Sequence, residues 1–386
     1  MISRAAIVVG LLVYVVVLGC VLIPGAPPSA SVASGAEPQE EIGLAGVPIV
    51  PYTGKSRVDK SMLPLRGAGM QIQRVDWIDK YKKSIDEIAE LGCDTVMFEV
   101  DARMENGSSS RIYLDMRMTP TPEQLGALID HAKLRKLRVV IMPIVLLDNP
   151  QGDEWRGTIK PTSWDEWFEA YRDVLVHFAW IAEGHHADVF VLGSELVSTE
   201  NKIDEWDSTI RKVRSVFKGM VTYSANWDHY TSVPFWRKLD MVGMNSYWDL
   251  ATLDGKKVDR KNITVESIQK RWAEIQSDVI AFARKQGKPL LLVEAGWCSL
   301  GNAASEPWDY TQETEPIDNE LQRKLYEAFF KSWYGNPNLG GFMLWEWTAG
   351  DGGKGSDEDR RGYTPENKPA EEVAREWLKK GPWKVN

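Results

Sequence analysis

The sequence predicts an α/β fold, a (β/α)8 TIM barrel that follows an N-terminal signal or membrane-anchor segment. From about residue 65 onward, strand-like apolar segments alternate with segments of helical periodicity, and eight strand candidates occur in this part of the chain. Residues 5–23, by contrast, form an uncharged apolar run outside the repeating pattern. Eight alternating strand and helix units are typical of a closed parallel barrel.

The N-terminal run is typical of an export signal or a membrane anchor. It follows Arg4, is long enough to span a bilayer, and no charge appears after it until Glu37. Small residues at 31–33 offer a cleavage site, and residues 17–20 loosely resemble a bacterial lipoprotein box. Cleaved, lipidated and anchored forms therefore all stay open. In each case we expect the remainder to work outside the cytoplasm, as a secreted, periplasmic or membrane-anchored protein.

The chain is predicted to have three segments. Residues 1–23 are the signal peptide or anchor, residues 24–64 are a linker and an approach to the barrel, and residues 65–386 form the barrel domain. The linker is rich in Pro, Ala, Ser and Gly at its start, which is typical of a tether.

The strand candidates are apolar runs bounded by turn residues or charges: Ala68–Arg74, Asp94–Val100, Arg138–Leu147, Asp188–Gly193, Met220–Ala225, Met241–Tyr247, Leu290–Glu294 and Gly341–Trp345. Helical periodicity fills most of the gaps between them, at Ile78–Leu91, Thr121–Lys136, Trp164–Ala182, Glu205–Phe217, Val265–Gln286, Asn319–Trp333 and Ala370–Lys379. Only the gap around Ser232–Lys238 is short.

Two helix starts carry recognisable signals. Pro122, directly after Thr121, occupies a first-turn position, where its missing N–H costs nothing. Ser163 and Glu166 have the spacing of a capping box.

Composition excludes several function classes. The formal net charge is −9 at pH 7, and no Lys/Arg-rich block occurs that could follow a phosphate backbone, so we predict no nucleic-acid partner. The three cysteines are scattered, and the five histidines lack metal-ligand spacing. We therefore predict no metal and no cofactor, and we expect a monomer.

Two segments each run an apolar strand straight into a glutamate, at Glu195 and Glu294. An unpaired carboxylate is costly to bury, so one kept at the end of a buried strand indicates chemistry. In a barrel both would lie at the carboxyl ends of the strands, after the fourth and the seventh, where barrel sites are found. Paired carboxylates are what glycoside hydrolysis requires. The alternative is that each glutamate only forms a salt bridge at the end of its strand.

Tryptophans form a second pattern. Of the 17 in the chain, several fall at or just after strand ends, where their faces could stack on sugar rings. These are Trp155, Trp227, Trp248, Trp297, Trp345 and Trp347. Tryptophans inside helices, such as Trp272 and Trp333, are expected to be core residues.

The order of several short motifs resembles glycoside hydrolase family 113, a clan A family that includes β-mannanases. The motifs are Trp155-Arg-Gly157, Trp167-Phe-Glu-Ala-Tyr171, Gly193-Ser-Glu195-Leu, Tyr223-Ser-Ala-Asn226-Trp227, Gly243-Met-Asn-Ser-Tyr247, Glu294-Ala-Gly-Trp297 and Gly341-Phe-Met-Leu-Trp345. The likeness extends from about residue 65 to residue 380. It implies that residues 65–386 are a catalytic domain.

The resemblance also implies roles for individual residues. Glu195 would be the acid/base and Glu294 the nucleophile of a retaining hydrolase. Tyr247 resembles the clan tyrosine that hydrogen-bonds the nucleophile, Trp345 the tryptophan under the sugar to be cleaved, and Asn226 is expected to bind a hydroxyl group.

One position departs from the clan pattern. Ser194 stands where many clan A enzymes have Asn, which binds the sugar 2-hydroxyl. The shorter side chain leaves room for an axial 2-hydroxyl, as in mannose.

We therefore expect an exported retaining β-glycosidase that acts on β-1,4-mannan or manno-oligosaccharides, with possible membrane attachment through the N-terminal segment. The expected substrate-binding residues are Tyr247, Asn226, Trp345, Trp347, Trp227, Trp297, Trp155 and Ser194. Two alternatives stay open: a clan A hydrolase of another β-glycan, such as β-glucan or xylan, and a barrel that binds glycans without cleaving them.

Overall fold

A computed structural model describes residues 41–42, 48–49, 54–311, 314–350 and 360–386. The predicted signal or anchor segment, residues 1–23, lies outside the described residues, as does most of the predicted linker. Within the described part of the chain, no helix combines the length and the apolar character needed to cross a membrane.

Eight parallel strands close into a barrel, which confirms the predicted fold. In chain order they are β1 Leu65–Ile72, β2 Thr95–Met104, β3 Arg138–Leu147, β4 Val189–Ser194, β5 Met220–Ala225, β6 Val242–Asn245, β7 Leu290–Ala295 and β8 Leu339–Leu344. Each strand pairs with its neighbours in sequence, and β8 pairs with β1 to close the ring. All the carboxyl ends therefore meet at one end of the barrel.

Helices cover the outside of the strands. They are α1 Ile78–Leu91, α2 Pro122–Leu134, α3 Trp164–Gly184, α4 Ile203–Val216, α5 Val265–Gln286, α6 Asn319–Trp333 and α7 Pro369–Leu378. The short gap between β5 and β6 contains only a 3₁₀ turn, Trp236–Lys238, among its described elements.

The helix-start signal at Thr121 forms a full capping box, whereas that at Ser163 forms only half of one, because the Ser163 N–H donates to the Ser110 hydroxyl and not to Glu166. The Thr121 hydroxyl accepts a hydrogen bond from the Gln124 backbone N–H, and the Gln124 side chain accepts one from the Thr121 N–H. The Ser163 hydroxyl likewise accepts from the Glu166 N–H, 3.3 Å away. Each contact satisfies a backbone donor that the first helical turn leaves without a partner.

The second strand is longer than its apolar pattern predicts. We expected it to end at Val100, because charged residues follow, but it runs to Met104 and pairs with β3 along its whole length. The charges are compatible with a strand because Asp101 pairs with the Arg103 guanidinium at 2.7 Å, and Arg103 also pairs with Asp148 at 2.7 Å.

Two apolar layers hold the barrel together. The inner layer fills the barrel and includes residues such as Met97, Val191, Leu291, Val293 and Met343. The outer layer lies between strands and helices and contains most of the buried aromatic residues. This arrangement leaves the upper end of the barrel, above the inner layer, for polar side chains.

Candidate active site

Glu195 follows β4 directly, at the carboxyl end of the barrel. Its φ of 57° is in the left-handed region, which non-glycine residues seldom adopt and which is enriched at functional sites. Its backbone N–H donates to the Ser224 carbonyl oxygen at 2.9 Å. The Asn245 amide donates to Oε1 of Glu195, and Arg156 Nη2 lies 3.0 Å from Oε2. Both carboxylate oxygens are therefore held in place.

Glu294 lies near the end of β7 and is 4% exposed. The Tyr247 hydroxyl donates to its Oε2 at 2.8 Å, and the Ser194 hydroxyl donates to its Oε1 at 3.3 Å. Burial and, to a smaller extent, the charge of Glu195 raise the pKa of Glu294 to about 7. Arg156 and the two hydroxyl donors oppose that rise.

The two glutamates belong to one hydrogen-bonded network. Glu294 lies opposite Asn245 in the register of β7 and β6, and Asn245 donates to Glu195. Ser194, which precedes Glu195, donates to Glu294. The barrel thus brings together two carboxyl groups that are 99 positions apart in the printed sequence, Glu195 and Glu294.

Arg156 is a site residue that the sequence prediction did not include. It lies in the 3₁₀ turn Arg156–Thr158, on the loop after β3, and pairs with Glu195. Burial lowers the pKa of Arg156, but Glu195, Glu294 and Glu99 together raise it above its usual range, so the guanidinium stays charged. The only sequence signal was its place within the Trp155-Arg-Gly157 motif.

Glu99 is a second residue that the prediction missed. It lies in β2, is 3% exposed, and its charge interacts with those of Glu294 and Arg156. Burial raises its pKa well above the usual range, and the charge of Glu294 adds to that rise. The signal that identified Glu195 and Glu294, a carboxylate in an apolar strand, was also present here.

Trp345 follows β8 and belongs to the inner layer, together with Tyr247. Its backbone N–H donates to the Ala295 carbonyl oxygen, next to Glu294. The ring packs closely against Gly69, where an added Cβ would lie 3.0 Å from a ring carbon. At Gly296 an added Cβ would lie 1.7 Å from the Trp345 carbonyl oxygen, so glycine is required there. Trp345 therefore lies beside the end of β7, next to the residue that follows Glu294.

Trp227 and Trp155 lie at the rim of the same end of the barrel. Trp227 is partly buried and stacks on Trp308, with ring centroids 5.9 Å apart and an interplanar angle of 18°. Trp308 is 46% exposed and was not among the predicted binding residues. Trp155 is also exposed and packs over Gly157, beside Arg156. Asn226, partly buried, accepts a hydrogen bond from the Trp227 N–H.

The structure does not bring Trp297 and Trp347 to the glutamates, which corrects their predicted place in the cleft. Trp297 is fully buried in the outer layer, where its ring contacts Tyr326 and Trp272. Trp347 is also buried in that layer, and its indole N–H donates to Glu87 on α1 at 3.2 Å. Residues just after a strand can point outward as well as inward, so a strand-end position alone did not determine the direction.

Comparison with known proteins identifies the family to which this chain belongs. The model of Glycoside Hydrolase Family 113 matches residues 68–368, which is most of the chain. The chain belongs to glycoside hydrolase family 113. It is therefore a glycoside hydrolase of clan A, and the resemblance noted in the sequence is confirmed. A search of curated protein sequences finds no significant match.

Solved structures of family 113 proteins are similar over most of the chain. A complex of a GH113 β-1,4-mannanase is 25% identical, with a TM-score of 0.73, covering 83% of this chain and 100% of that chain. The GH113 β-mannanase AaManA of Alicyclobacillus acidocaldarius, in complex with ManMIm, is 24% identical with a TM-score of 0.71, covering 83% and 99%. A GH5_18 protein of Bifidobacterium longum, in complex with Manβ1-4GlcNAc, has the same fold at 13% identity, with a TM-score of 0.56 and coverage of 83% and 80%.

The two glutamates have different surroundings. One of them, Glu294, is buried beneath two hydroxyl donors, whereas the side chain of Glu195 is 12% exposed and lies nearer the solvent. Among the described residues, no group of three or more His, Cys, Asp or Glu could hold a metal ion. Two carboxyl groups held in one network but in different surroundings fit hydrolysis by paired carboxylates.

Proposed function

We propose that this chain is an exported retaining β-glycosidase that hydrolyses β-1,4-mannan or manno-oligosaccharides through a covalent glycosyl-enzyme intermediate. The observation that carries the proposal is the difference between the two glutamates. Glu294 is held by the hydroxyl groups of Tyr247 and Ser194, and Glu195 by Arg156 and Asn245.

Glu294 fits the nucleophile. Its two oxygens accept hydrogen bonds from neutral hydroxyl donors, which support the carboxylate and fix its direction. Burial keeps the pKa of Tyr247 well above its usual range, so this tyrosine stays a donor. In the first step a carboxylate oxygen of Glu294 bonds to the anomeric carbon while the bond from that carbon to the leaving oxygen breaks.

Glu195 fits the acid/base. In the first step its proton goes to the leaving oxygen, and in the second it takes a proton from water. The water oxygen then bonds to the anomeric carbon, and the ester bond to Glu294 breaks. Two displacements at one carbon return the β configuration, so the sugar is released with retention.

Support for mannan comes from the solved structures. The GH113 protein that is 25% identical to this chain is a β-1,4-mannanase, and that likeness covers nearly all of the barrel. Ser194 adds a second point, because it donates to Glu294 and its short side chain leaves space beside the nucleophile.

A panel of polysaccharides tests the substrate. Purified enzyme is incubated with β-1,4-mannan, β-1,4-glucan and xylan, and new reducing ends are measured, with Glu294→Gln as the inactive control. We expect the rate on mannan to exceed the other two at least tenfold. A higher rate on glucan or xylan would contradict mannan as the substrate and would identify that polysaccharide instead. If the protein binds these polysaccharides without hydrolysing any of them, the result would favour the alternative that the barrel only binds glycans.

The proposed export rests on the apolar run at residues 5–23. Fractionation of bacteria that express the full chain should recover activity outside the cytoplasm. A variant that lacks residues 1–23 should stay in the cytoplasm. Equal distribution of the two proteins would contradict export.

A further inference from the structure

The Glu99 carboxyl group is buried and has no hydrogen-bond partner among the described residues. Glu99 lies two positions after Met97, which belongs to the inner layer, so it shares the face of β2 that points into the barrel. A carboxyl group that is 3% exposed and makes no hydrogen bond within the described part of the chain gains nothing from its place in the fold, which indicates a role toward a ligand. Its position above the inner layer directs the group toward the space in front of Glu294.

The neighbours of Glu99 do not supply the missing partner. Gln71 lies opposite it in the β1–β2 register, but the Gln71 amide donates to Glu346 at 2.8 Å. The Arg156 guanidinium is close enough to lower the pKa of Glu99, yet it is paired with Glu195. The hydrogen-bonding capacity of Glu99 is therefore left for a ligand.

The charges around Glu99 define what that ligand can be. Three carboxyl groups, those of Glu99, Glu195 and Glu294, interact with the guanidinium of Arg156, and the charge of Glu346 also acts on Glu99. A ligand with its own carboxylate would be repelled, whereas a neutral polyhydroxyl compound would not. Burial and the charge of Glu294 raise the pKa of Glu99 well above its usual range, which favours its neutral form. A carboxyl group accepts hydrogen bonds from sugar hydroxyls, and in its neutral form it also donates one.

We propose that Glu99 is a specificity-determining residue that binds a hydroxyl group of the neutral sugar lying against Glu294. The proposal rests on the proposed function, since it places the sugar to be cleaved in front of that glutamate. A site built to hydrogen-bond a hydroxyl rejects sugars that lack it, because its own polar group is then left without a partner.

The test combines two Glu99 variants with deoxy sugars. Glu99→Gln keeps a donor and an acceptor at nearly the same size, whereas Glu99→Met keeps the size and removes both. Each is assayed on the aryl β-mannobioside and on analogues that lack the 2-, 3- or 6-hydroxyl of the residue joined to the aryl group. Glu90→Gln, on the outer helix α1, is the control for loss of one carboxylate.

We expect Glu99→Gln to stay within about fivefold of wild type and Glu99→Met to lose about 100-fold in kcat/KM on the parent substrate. On one of the three analogues, Glu99→Met and the wild-type enzyme should have the same kcat/KM. The hydroxyl that Glu99 binds is absent from that analogue, so the substitution removes nothing more. Unfolding curves identify the folded fraction to which each rate is referred.

Two results would overturn the role of Glu99. One is wild-type activity of Glu99→Met on the parent substrate. The other is an equal loss on the parent and on all three analogues, which would show a structural effect only. If the polysaccharide panel favours another sugar, the same series is made with that sugar, so a wrong substrate and a wrong role for Glu99 give different results. Inactivity of the wild-type enzyme on every glycoside would overturn both.

Discussion

Tyr247 and Arg156 show how single contacts distinguish two chemically identical side chains. Tyr247 is a neutral donor to the buried Glu294, and Arg156 is a charged donor to the more exposed Glu195. Because burial has raised the pKa of Glu294 to about 7, each donor that favours its ionised form affects the pH at which the carboxylate is available.

Replacing Tyr247 by Phe should shift the pH profile. The Tyr247 hydroxyl lowers the pKa of Glu294, so its removal should raise that pKa, and protonation would then inactivate the nucleophile at a higher pH. We expect the acidic limb of kcat/KM to move up by about one pH unit, with activity at pH 6 falling about tenfold. Tyr363→Phe is the matched control, because the Tyr363 hydroxyl donates to the Pro307 carbonyl oxygen instead. An acidic limb that stays in place, or moves down, would contradict this account of Tyr247.

Azide should separate the roles of the two glutamates. Glu294→Ala should be inactive on every glycoside, and azide added with an activated aryl β-mannoside should give the α-mannosyl azide, because azide replaces the nucleophile. Glu195→Ala should still form the glycosyl-enzyme from that substrate, and azide should give the β-mannosyl azide. Product configuration is read by NMR. If Glu294→Ala gave the β-mannosyl azide and Glu195→Ala the α-mannosyl azide, Glu195 would be the nucleophile and Glu294 the acid/base.

At the scale of elements, the sequence predicted the strands better than it predicted the direction of side chains near their ends. Apolar runs located all eight strands, and the bounds of β3 and β5 agree with the prediction. The charges of Asp101 and Arg103 concealed the extension of β2 in the sequence, because Arg103 also pairs with Asp148 after β3, a contact that forms only in the folded barrel. Trp297 was expected in the cleft but packs outward, since only the register of the folded barrel determines the face on which a residue lies.

The stacked pair Trp227 and Trp308 lies on the loops after β5 and β7. Because β5 adjoins β4, which ends at Glu195, we expect this pair to contact the sugars of the leaving group. Trp308→Ala should lower kcat/KM on mannan about tenfold and leave the aryl β-mannoside unaffected, since that substrate has no sugar there. Trp377→Ala, which removes a tryptophan stacked on Phe330 on the outside of the barrel, should not change the ratio of the two rates. An equal loss on both substrates in Trp308→Ala would place the pair elsewhere in the cleft.

At the scale of the whole molecule, the site exists only because the barrel closes. Glu99, Arg156, Glu195, Asn245 and Glu294 come from five strands or strand-following loops. Fold class and the two glutamates could be predicted because each leaves a local pattern in the sequence. Arg156 and Asn245 could not, since their roles come from ion pairing and hydrogen bonding across strands, which no local pattern records.

If Glu195 and Glu294 work as a retaining pair, the configuration of the first product shows it most directly. Hydrolysis of a manno-oligosaccharide is followed by proton NMR from the first minutes, before the released reducing sugar interconverts between its anomers. Retention predicts that the β anomer appears first and that the α anomer increases later. Initial release of the α anomer would mean one displacement by water, and it would contradict the covalent role of Glu294.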